Sequence, residues 1–397
     1  MEVIIEKLDH FGRGIAKKEG KVCFVENALP GEIVKIKIIR DSRKHMEAEV
    51  VSYLKTSSDR IQEKCPYTSF CGGCSCPHLS FEKENEWKEK KVKEAIHKFA
   101  GLDENLVSPI VYRNEFYYRN KIILHGKDGK LGFYQKNTNE RIPIEECLLA
   151  NHKINEIIPL LQNQKIEEAI IKTSNHEDEV MLSIKGKVEN IENLLQECDV
   201  LKVNQDYITE KRYIKTMVGD KEYQESVSSF FQVNEELTKE LYEEVKKVVK
   251  EKRPKVLLDL YCGTGSIGLY CREYCQKLIG IDSNRYNIED AKMNQKEDQN
   301  SYFILDTVEN QVDLLKESDL IIVDPPRSGL DEKTREHLSR WKGNTLIYVS
   351  CDPITLARDL NTLKENYTIR YIKPFNMFPR THHVECISVL ERQNVEK

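Results

Sequence analysis

The sequence predicts a multidomain protein, with a small all-β barrel at its start, an α+β central section and a C-terminal α/β domain built on a parallel sheet. Three observations support this prediction. Short apolar runs separated by glycine turns open the chain, a cysteine-dense loop follows them, and from Lys255 onward strand-length apolar runs alternate with helical stretches. We place the three sections at residues 1–56, 57–228 and 229–397.

The composition limits the class of protein. Its 397 residues are enough for two or three domains, and 39% hydrophobic beside 32% charged residues is typical of a soluble globular protein. No apolar run approaches the roughly 20 residues that span a bilayer, and the N-terminus lacks a signal-peptide layout. We therefore expect a cytoplasmic protein without a membrane partner and, by default, a monomer. Twelve cysteines in such a protein indicate metal-binding or catalytic thiols rather than disulfides.

The first section reads as short strands divided by turn residues. The runs VIIEKL, KVCFVEN, EIVKIKIIR and HMEAEVVSYL are separated by FGRG and LPGE, which predicts a small β-barrel. The segment DHFGRGIAKKEGKVCFVENALPGEIVKIKI resembles a TRAM domain, an OB-like RNA-binding barrel, with Gly12, Gly14, Gly20 and Gly31 at its turns. The resemblance implies contact with RNA, although such a barrel could equally serve as a spacer.

The central section begins with a possible metal site. Cys65, Cys71 and Cys74 are spaced C-x5-C-x2-C, and Cys147 follows far downstream in PIEEC. Four thiolates suit either tetrahedral zinc or an iron–sulfur cube. Zinc ribbons pair two short knuckles, whereas Cys147 stands alone, which favours a [4Fe–4S] cluster with a structural role. Cys76 is an extra thiol in the same loop, and the C-x3-C-x2-C spacing of radical enzymes is absent from the sequence.

The rest of the central section combines a helix with mixed strands. A charged amphipathic helix is predicted over Phe81–Ala100, closed by Gly101. The net charge of −5 argues weakly against a nucleic-acid partner, but the distribution of charge matters more than its sum. Between Ile110 and Arg141, Lys and Arg outnumber the acids and aromatic residues lie among them. Such a mixture suits unstacked RNA bases, and it equally suits a half-exposed antiparallel sheet.

The last section predicts a Rossmann-like sheet with ligands at the carboxyl ends of its strands. The strand-length runs are VLLDLYC, KLIGID, YFILD, LIIVDPP and TLIYVSC. The first ends in a turn at Gly263 and Gly265 whose G-x-G-x-x-G spacing also occurs in nicotinamide sites. Two features favour S-adenosylmethionine instead. Asp282 follows the second run, where a carboxylate can hold both ribose hydroxyls, and the DPPR motif at Asp324 follows the fourth run. Taken alone, Asp282 could equally be a helix N-cap.

Cys351 ends the fifth run, in SCDP, and Glu385 follows it in FPRTHHVE. A cysteine at a strand end of such a domain indicates covalent chemistry, with the carboxylate as a base. The alternative is a small buried core residue, which free cysteine often is.

Together these motifs resemble the RNA uracil-5 methyltransferase family over the last 170 residues or so. The resemblance implies Cys351 as nucleophile and Glu385 as general base, with Phe230 near a flipped base. It implies S-adenosylmethionine contacts at Gln232, Tyr261, Ser266, Asp282 and Asp324. Three positions depart from the usual pattern: Asp352 replaces Asn, Ser266 stands where Asn is frequent, and Asp282 stands where Glu is frequent.

The cysteine pattern is similar to that of ribosomal-type members of the family, which implies a [4Fe–4S] cluster on Cys65, Cys71, Cys74 and Cys147. With the N-terminal barrel, it implies 23S rRNA as the substrate and tRNA as the alternative. Arg327, His382 and His383 are candidate contacts to phosphate or base. Two rival hypotheses remain: methylation of a base nitrogen by the DPPR motif alone, and a metal-stabilised RNA-binding or ribosome assembly factor whose methyltransferase domain is not catalytic.

Overall fold

The N-terminal segment forms a six-stranded sheet with the order β1-β5-β6-β4-β3-β2. A computed structural model describes residues 1–393, so residues 394–397 of the predicted C-terminal section lie outside the described residues. The strands are β1 (Glu2–Ile4), β2 (Lys7–Leu8), β3 (Gly14–Lys18), β4 (Lys21–Glu26), β5 (Ile33–Asp41) and β6 (His45–Lys55). Side chains alternate between buried and exposed along β3 to β5, as expected for strands with one face on a core.

Helix α1 (Phe81–Ala95) continues as a π-helical turn over Ile96–Ala100 and ends at Gly101, which has a left-handed φ of 62°. Val92 and Ile96 are buried in the core of the C-terminal sheet, whereas Phe99 is 43% exposed. This helix therefore packs on the C-terminal section, although the sequence places it in the central one. The placement of the section boundaries stays a prediction.

The central section is a seven-stranded sheet with the order β13-β12-β11-β10-β7-β8-β9, followed by a separate hairpin. Its elements are β7 (Lys121–Lys127), β8 (Lys130–Tyr134), β9 (Arg141–Pro143), α2 (His152–Ile157), β10 (Lys165–Thr173), β11 (Val180–Lys187), α3 (Ile191–Glu197), β12 (Val200–Val203) and β13 (Asp206–Tyr207). The hairpin comprises β14 (Tyr213–Val218) and β15 (Lys221–Ser226). The basic and aromatic segment between Ile110 and Arg141 is thus largely irregular up to Asn120, and from Lys121 onward it forms antiparallel strands.

The C-terminal section is a seven-stranded sheet with the order β18-β17-β16-β19-β20-β22-β21. Its elements are α4 (Glu235–Lys252), β16 (Val256–Leu260), α5 (Ser266–Tyr270), β17 (Lys277–Asp282), α6 (Arg285–Asn294), β18 (Ser301–Leu305), β19 (Leu320–Val323), α7 (Glu332–Arg340), β20 (Thr345–Ser350), α8 (Pro353–Leu363), β21 (Tyr367–Phe375) and β22 (Glu385–Arg392). The five predicted runs form the parallel strands β16 to β20.

Two antiparallel strands, which the sequence did not predict, complete this sheet. Strand β22 inserts between β20 and β21 and pairs with both in antiparallel register. Ser350, the last residue of β20, pairs with Cys386, the second residue of β22. Cys351 directly follows Ser350 and Glu385 directly precedes Cys386, so the pairing brings together residues that are distant in sequence.

Within residues 1–393, no helix is both long and apolar enough to cross a membrane.

Candidate active site

A cavity of about 690 Å³ opens at the carboxyl ends of the parallel strands, and we call it the strand-end cavity. Ligands of open parallel sheets bind at this edge. The cavity is lined by every residue for which the sequence implied a catalytic or S-adenosylmethionine-binding role: Gln232, Tyr261, Ser266, Asp282, Asp324, Cys351 and Glu385. Phe230, Arg327 and His383 line it as well, whereas His382 does not.

The glycine turn forms one wall of the cavity. Gly263 and Gly265 have left-handed φ values of 54° and 72°. A Cβ atom on Gly265 would lie 2.6 Å from the ring of Phe303, whereas nothing occupies the space beside Gly263 to a distance of 4 Å. Gly265 is therefore required for packing, and Gly263 leaves room for a ligand to approach the backbone.

Asp282 braces this turn. Its Oδ2 accepts a hydrogen bond of 3.0 Å from the Gly263 amide, and its Oδ1 accepts one of 2.7 Å from the Asn284 amide. The N-cap of α6 is Asn284, whose side chain accepts from the amide of Tyr286. Asp282 therefore does not cap the helix, and its carboxylate stands at the cavity wall.

The other implied S-adenosylmethionine contacts are held by neighbours. The Tyr261 hydroxyl donates to Asp331 over 3.3 Å. The Ser266 hydroxyl lies 2.6 Å from that of Tyr242, and both residues are buried. Gln232 is buried and its carbonyl accepts from Asn120. These contacts fix the lining of the cavity before any ligand arrives.

Two carboxyl groups of this cavity have raised pKa values, which favour their protonated forms. Burial, reinforced by the negative charge of Asp282, raises the pKa of Asp324 to about 7. Burial and the charge of Asp324 raise the pKa of Glu385 well above its ordinary value, although Arg327 opposes this shift. A carboxyl group with a raised pKa is a stronger base once it has lost its proton.

The Cys351 thiol lies beside these acids. Burial, followed by the charges of Glu385 and Asp324, raises its pKa to about 12, and Arg327 acts in the opposite direction. Arg327 donates a hydrogen bond of 2.6 Å to Nε2 of His383. Burial lowers the pKa of His383 to about 2, so its neutral ring can accept this bond. Arg327 is thus a fixed cation near the thiol.

The segment that leads into Glu385 is held by helix α1, which the sequence did not reveal. The buried Lys88 ammonium donates to Asn376 Oδ1 over 2.6 Å and to the Phe378 carbonyl over 3.0 Å. The buried Glu84 carboxylate lies 2.8 Å from Lys88 and accepts from the Arg380 amide over 2.9 Å. In sequence, these residues look like the exposed face of an amphipathic helix, because their partners lie almost 300 residues away.

A second cavity, of about 120 Å³, is lined by all four predicted metal ligands, Cys65, Cys71, Cys74 and Cys147. We call it the cysteine cavity. The Gly73 amide donates to Cys71 Sγ over 3.4 Å. Throughout residues 1–393, no three Cys, His, Asp or Glu side chains converge on a point that suits a single metal ion. Cys76 is buried elsewhere, against Leu29 and Leu79. The structure thus brings the four predicted ligands to one cavity.

A third, more open cavity of about 760 Å³ lies between the barrel, the cysteine loop and strand β8, and we call it the outer cavity. Its lining mixes rings and cations: Phe11, Arg13, Phe133, Tyr134, Lys136 and His382. The Ser75 hydroxyl lies 2.9 Å from Nδ1 of His382. His382 is therefore connected to the cysteine loop rather than to the strand-end cavity.

Comparisons with known proteins agree with this arrangement. The family described as tRNA (uracil-5-)-methyltransferase matches residues 196–393, and the TRAM domain matches residues 1–51. The prediction of a TRAM domain is therefore confirmed.

Whole-length relatives give the same result. An uncharacterized RNA methyltransferase of Bacillus cereus is 31% identical to this chain, and the match covers 100% of this chain and 97% of the relative. One of Aquifex aeolicus is 31% identical, with 98% of both chains covered. The crystal structure of Pyrococcus abyssi tRNA (uracil-54, C5)-methyltransferase in complex with S-adenosyl-L-homocysteine superposes with a TM-score of 0.78 at 25% identity, covering 98% of this chain and 100% of that one. The chain therefore belongs to the RNA uracil-5 methyltransferase family.

Proposed function

We propose that this protein transfers a methyl group from S-adenosylmethionine to carbon 5 of a uridine in RNA. The observation that carries the proposal is the antiparallel pairing of β20 with β22, which sets Cys351 and Glu385 side by side in the strand-end cavity. The glycine turn and Asp282 line the same cavity. The proposed nucleophile, the proposed base and the proposed cofactor-binding residues thus line the same cavity.

The proposed chemistry uses both residues in turn. Carbon 5 of uracil is a weak nucleophile, so the Cys351 thiolate first adds to C6 and turns the ring into an enolate. C5 of the enolate takes the methyl group that bound S-adenosylmethionine would supply, with cleavage of its sulfur–methyl bond and S-adenosylhomocysteine as the leaving group. Glu385 then removes the C5 proton, the electron pair re-forms the C5–C6 double bond, and the thiolate leaves. No step requires an oxidant or a reductant.

The proposal assigns the cofactor to the half of the cavity around Asp282. Its Oδ1 already accepts from Asn284 and Asn287, whereas Oδ2 accepts only from Gly263 and keeps a lone pair for a ribose hydroxyl. Gln232, Tyr261, Ser266 and Asp324 complete the proposed lining. The ring of Phe230 is 54% exposed at the same cavity, where it could stack on an extruded base.

The proposed RNA path is the outer cavity and the rim of the strand-end cavity. Phe11, Arg13 and Lys136 combine a ring with cations there, which suits single-stranded RNA. We propose 23S rRNA as the substrate, following the cysteine pattern. The Pyrococcus abyssi structure supports tRNA as the second candidate, because it is named as a tRNA enzyme and covers 98% of this chain.

We also propose that Cys65, Cys71, Cys74 and Cys147 hold a [4Fe–4S] cluster. Their four thiols surround one cavity, and the Gly73 amide points at a sulfur, as amides commonly do around such clusters. When bound, the cluster would cross-link the cysteine loop to the loop that carries Cys147. Its proposed role is structural.

Mass spectrometry of nucleosides tests the proposal. Anaerobically purified protein is incubated with S-adenosylmethionine and, separately, with unmodified 23S rRNA and tRNA. We expect 5-methyluridine in one RNA and none with Cys351→Ser. A methyl group on a base nitrogen, retained in Cys351→Ser, would contradict the proposed mechanism. RNA binding without methylation in either pool, with the protein shown to contain its iron, would favour the assembly-factor hypothesis.

A further inference from the structure

A loop of the N-terminal barrel touches the loop that carries the proposed nucleophile. His10 Nε2 lies 3.4 Å from Asp352 Oδ2, and Asp352 directly follows Cys351. The side chains of His10 and Asp352 are 20% and 28% exposed. The neighbouring Phe11 ring meets His382 edge-on, with 5.4 Å between the ring centroids. The barrel thus contacts the nucleophile loop through His10 and the neighbouring His382 through Phe11.

The position of His10 is fixed by its own loop. Asp9 accepts hydrogen bonds from the amides of Phe11 and Arg13, over 2.9 and 2.8 Å, and from Nε of Arg13 over 2.8 Å. Gly12 has a φ of 87°, and a Cβ atom there would lie 2.5 Å from Cys76 Sγ. The loop is therefore braced internally and packed closely against the cysteine loop, so His10 is held in place independently of its contact with Asp352.

Asp352 has two separate contacts. Its Oδ1 accepts from the amides of Ile354 and Thr355, over 2.9 and 3.0 Å, and caps α8. Its Oδ2 faces His10. Among residues 1–393, His10 is the basic side chain that lies within ion-pair distance of this carboxylate. An unpaired carboxylate next to Cys351 would oppose formation of the thiolate, because like charges repel.

We propose that His10 offsets the charge of Asp352 and thereby eases ionisation of Cys351, so that the barrel contributes a positioning residue to the nucleophile loop. This inference rests on the proposed role of Cys351. The proposal also concerns a departure from the family motif, because this chain has Asp352 where the motif usually has Asn. An Asn would cap α8 equally well without placing a charge beside the thiol. With Asp in place, the ring nitrogen of His10 that faces Oδ2 can offset its charge.

The pKa of Asp352 supports the pairing. Burial alone would raise this pKa, but the contact with His10 and the amides of α8 bring it well below its ordinary value. Asp352 is therefore charged whenever the protein is folded near neutral pH. Its charge is one of the influences that raise the pKa of Cys351.

Other charged groups also lie near Cys351, Asp352 or His10, and a test of the proposal must leave them unchanged. Glu385 and Asp324 also oppose ionisation of Cys351, and Arg327 favours it. On α1, the Lys91 ammonium donates to the His382 carbonyl and lies near Asp352. His382 lies near His10. None of these residues is altered in the variants below.

The test measures alkylation of Cys351 by iodoacetamide across a pH series, in the full-length protein, by mass spectrometry of the Cys351 peptide. The rate reports the thiolate fraction. We expect His10→Ala to slow alkylation at neutral pH by about fivefold, the upper end for a partly exposed ion pair, and to shift the profile to higher pH. Asp352→Asn should speed alkylation, and adding His10→Ala to Asp352→Asn should change nothing further.

A matched control is His45→Ala, since His45 lies 3.7 Å from Glu47 on the barrel and does not contact Asp352. It should alkylate at the wild-type rate. If His10→Ala slowed alkylation equally in the Asp352→Asn background, its role would be structural and the proposal would be overturned. An unchanged rate in His10→Ala alone would overturn it as well. The assay contains no RNA or S-adenosylmethionine, so failure of the methyltransferase function would not alter these outcomes.

Discussion

The strand-end cavity and the cysteine cavity are built in opposite ways. The first takes Asp282, Asp324, Cys351 and Glu385 from the ends of neighbouring strands in one sheet, whose hydrogen bonds fix the backbone. The second takes its thiols from loops: Cys65, Cys71 and Cys74 precede α1, and Cys147 lies between β9 and α2. We therefore expect side-chain losses in the first cavity to remove chemistry and to spare the fold. In the second, they should loosen the structure.

The strongest test of this contrast is Cys351→Ala. We expect methyl transfer to fall by about four orders of magnitude or more, because the C6 adduct cannot form. The thiol is only partly buried, so the free energy of unfolding should change by less than about 1 kcal/mol. The measurements are 5-methyluridine formation and denaturant unfolding. A well-folded, fully active variant would remove Cys351 from the mechanism.

The next largest effect is expected for Glu385→Gln. Methyl transfer should still occur once, but loss of the C5 proton should slow roughly 10²- to 10⁴-fold. A protein–RNA adduct should then accumulate, visible as a band resistant to denaturation. Glu391→Gln is a matched control on the same strand, since Glu391 pairs with Lys252 and Arg370 away from the cavity. Rapid turnover by Glu385→Gln would show that another group takes the proton.

On the other side of the comparison, Cys71→Ala should lower both iron content and melting temperature, because the proposed cluster would add a cross-link between two loops. The affinity for RNA should fall as well, since Gly72 and Gly73 in the same loop line the outer cavity. Cys198→Ala is the control, as Cys198 lies outside the cysteine cavity. Unchanged iron and unchanged melting temperature in Cys71→Ala would refute the cluster assignment.

The smallest expected effect concerns pH. The folded protein holds a proton on Asp324 up to a pKa of about 7, whereas the unfolded chain releases it near pH 4. The folded state therefore binds more protons between these values, and this residue's contribution to stability decreases as the pH rises. Asp324→Asn should make the ligand-free protein more stable at pH 8 by about 1 kcal/mol, with little difference at pH 4. The exposed Asp220→Asn should show no such pH dependence.

Local patterns predicted the parallel half of the C-terminal sheet well. Its five strands are apolar runs that end in turn or carboxylate residues, and each strand and its following turn are contiguous in sequence. The wall formed by Gly263, Asp282 and Asp324 could be expected for the same reason. The family resemblance supplied Cys351 and Glu385, which the structure places on adjacent strands.

Features that depend on distant partners could not be predicted in this way. The hairpin-like pair β21 and β22 became recognisable only through its pairing with β20. Lys88 and Glu84 read as ordinary surface charges until Asn376 and Arg380 bury them. The contact of His10 with Asp352 likewise joins opposite ends of the sequence. Neither spacing nor periodicity carries information about such pairs, because both describe only neighbours in the chain.

The position of β22 also has a consequence for the order in which the proposed active site is assembled. This strand follows the other six strands of its sheet in the chain, yet it occupies an interior place between β20 and β21. During translation, domains fold as their residues emerge from the ribosome. The thiol of Cys351 is therefore synthesised before its partner carboxylate exists, and the two meet only after β22 has emerged and threaded between its neighbours. In the proposed mechanism, a nascent chain that stops short of this strand can present the glycine turn and the thiol, but it lacks the carboxylate that would release the methylated base.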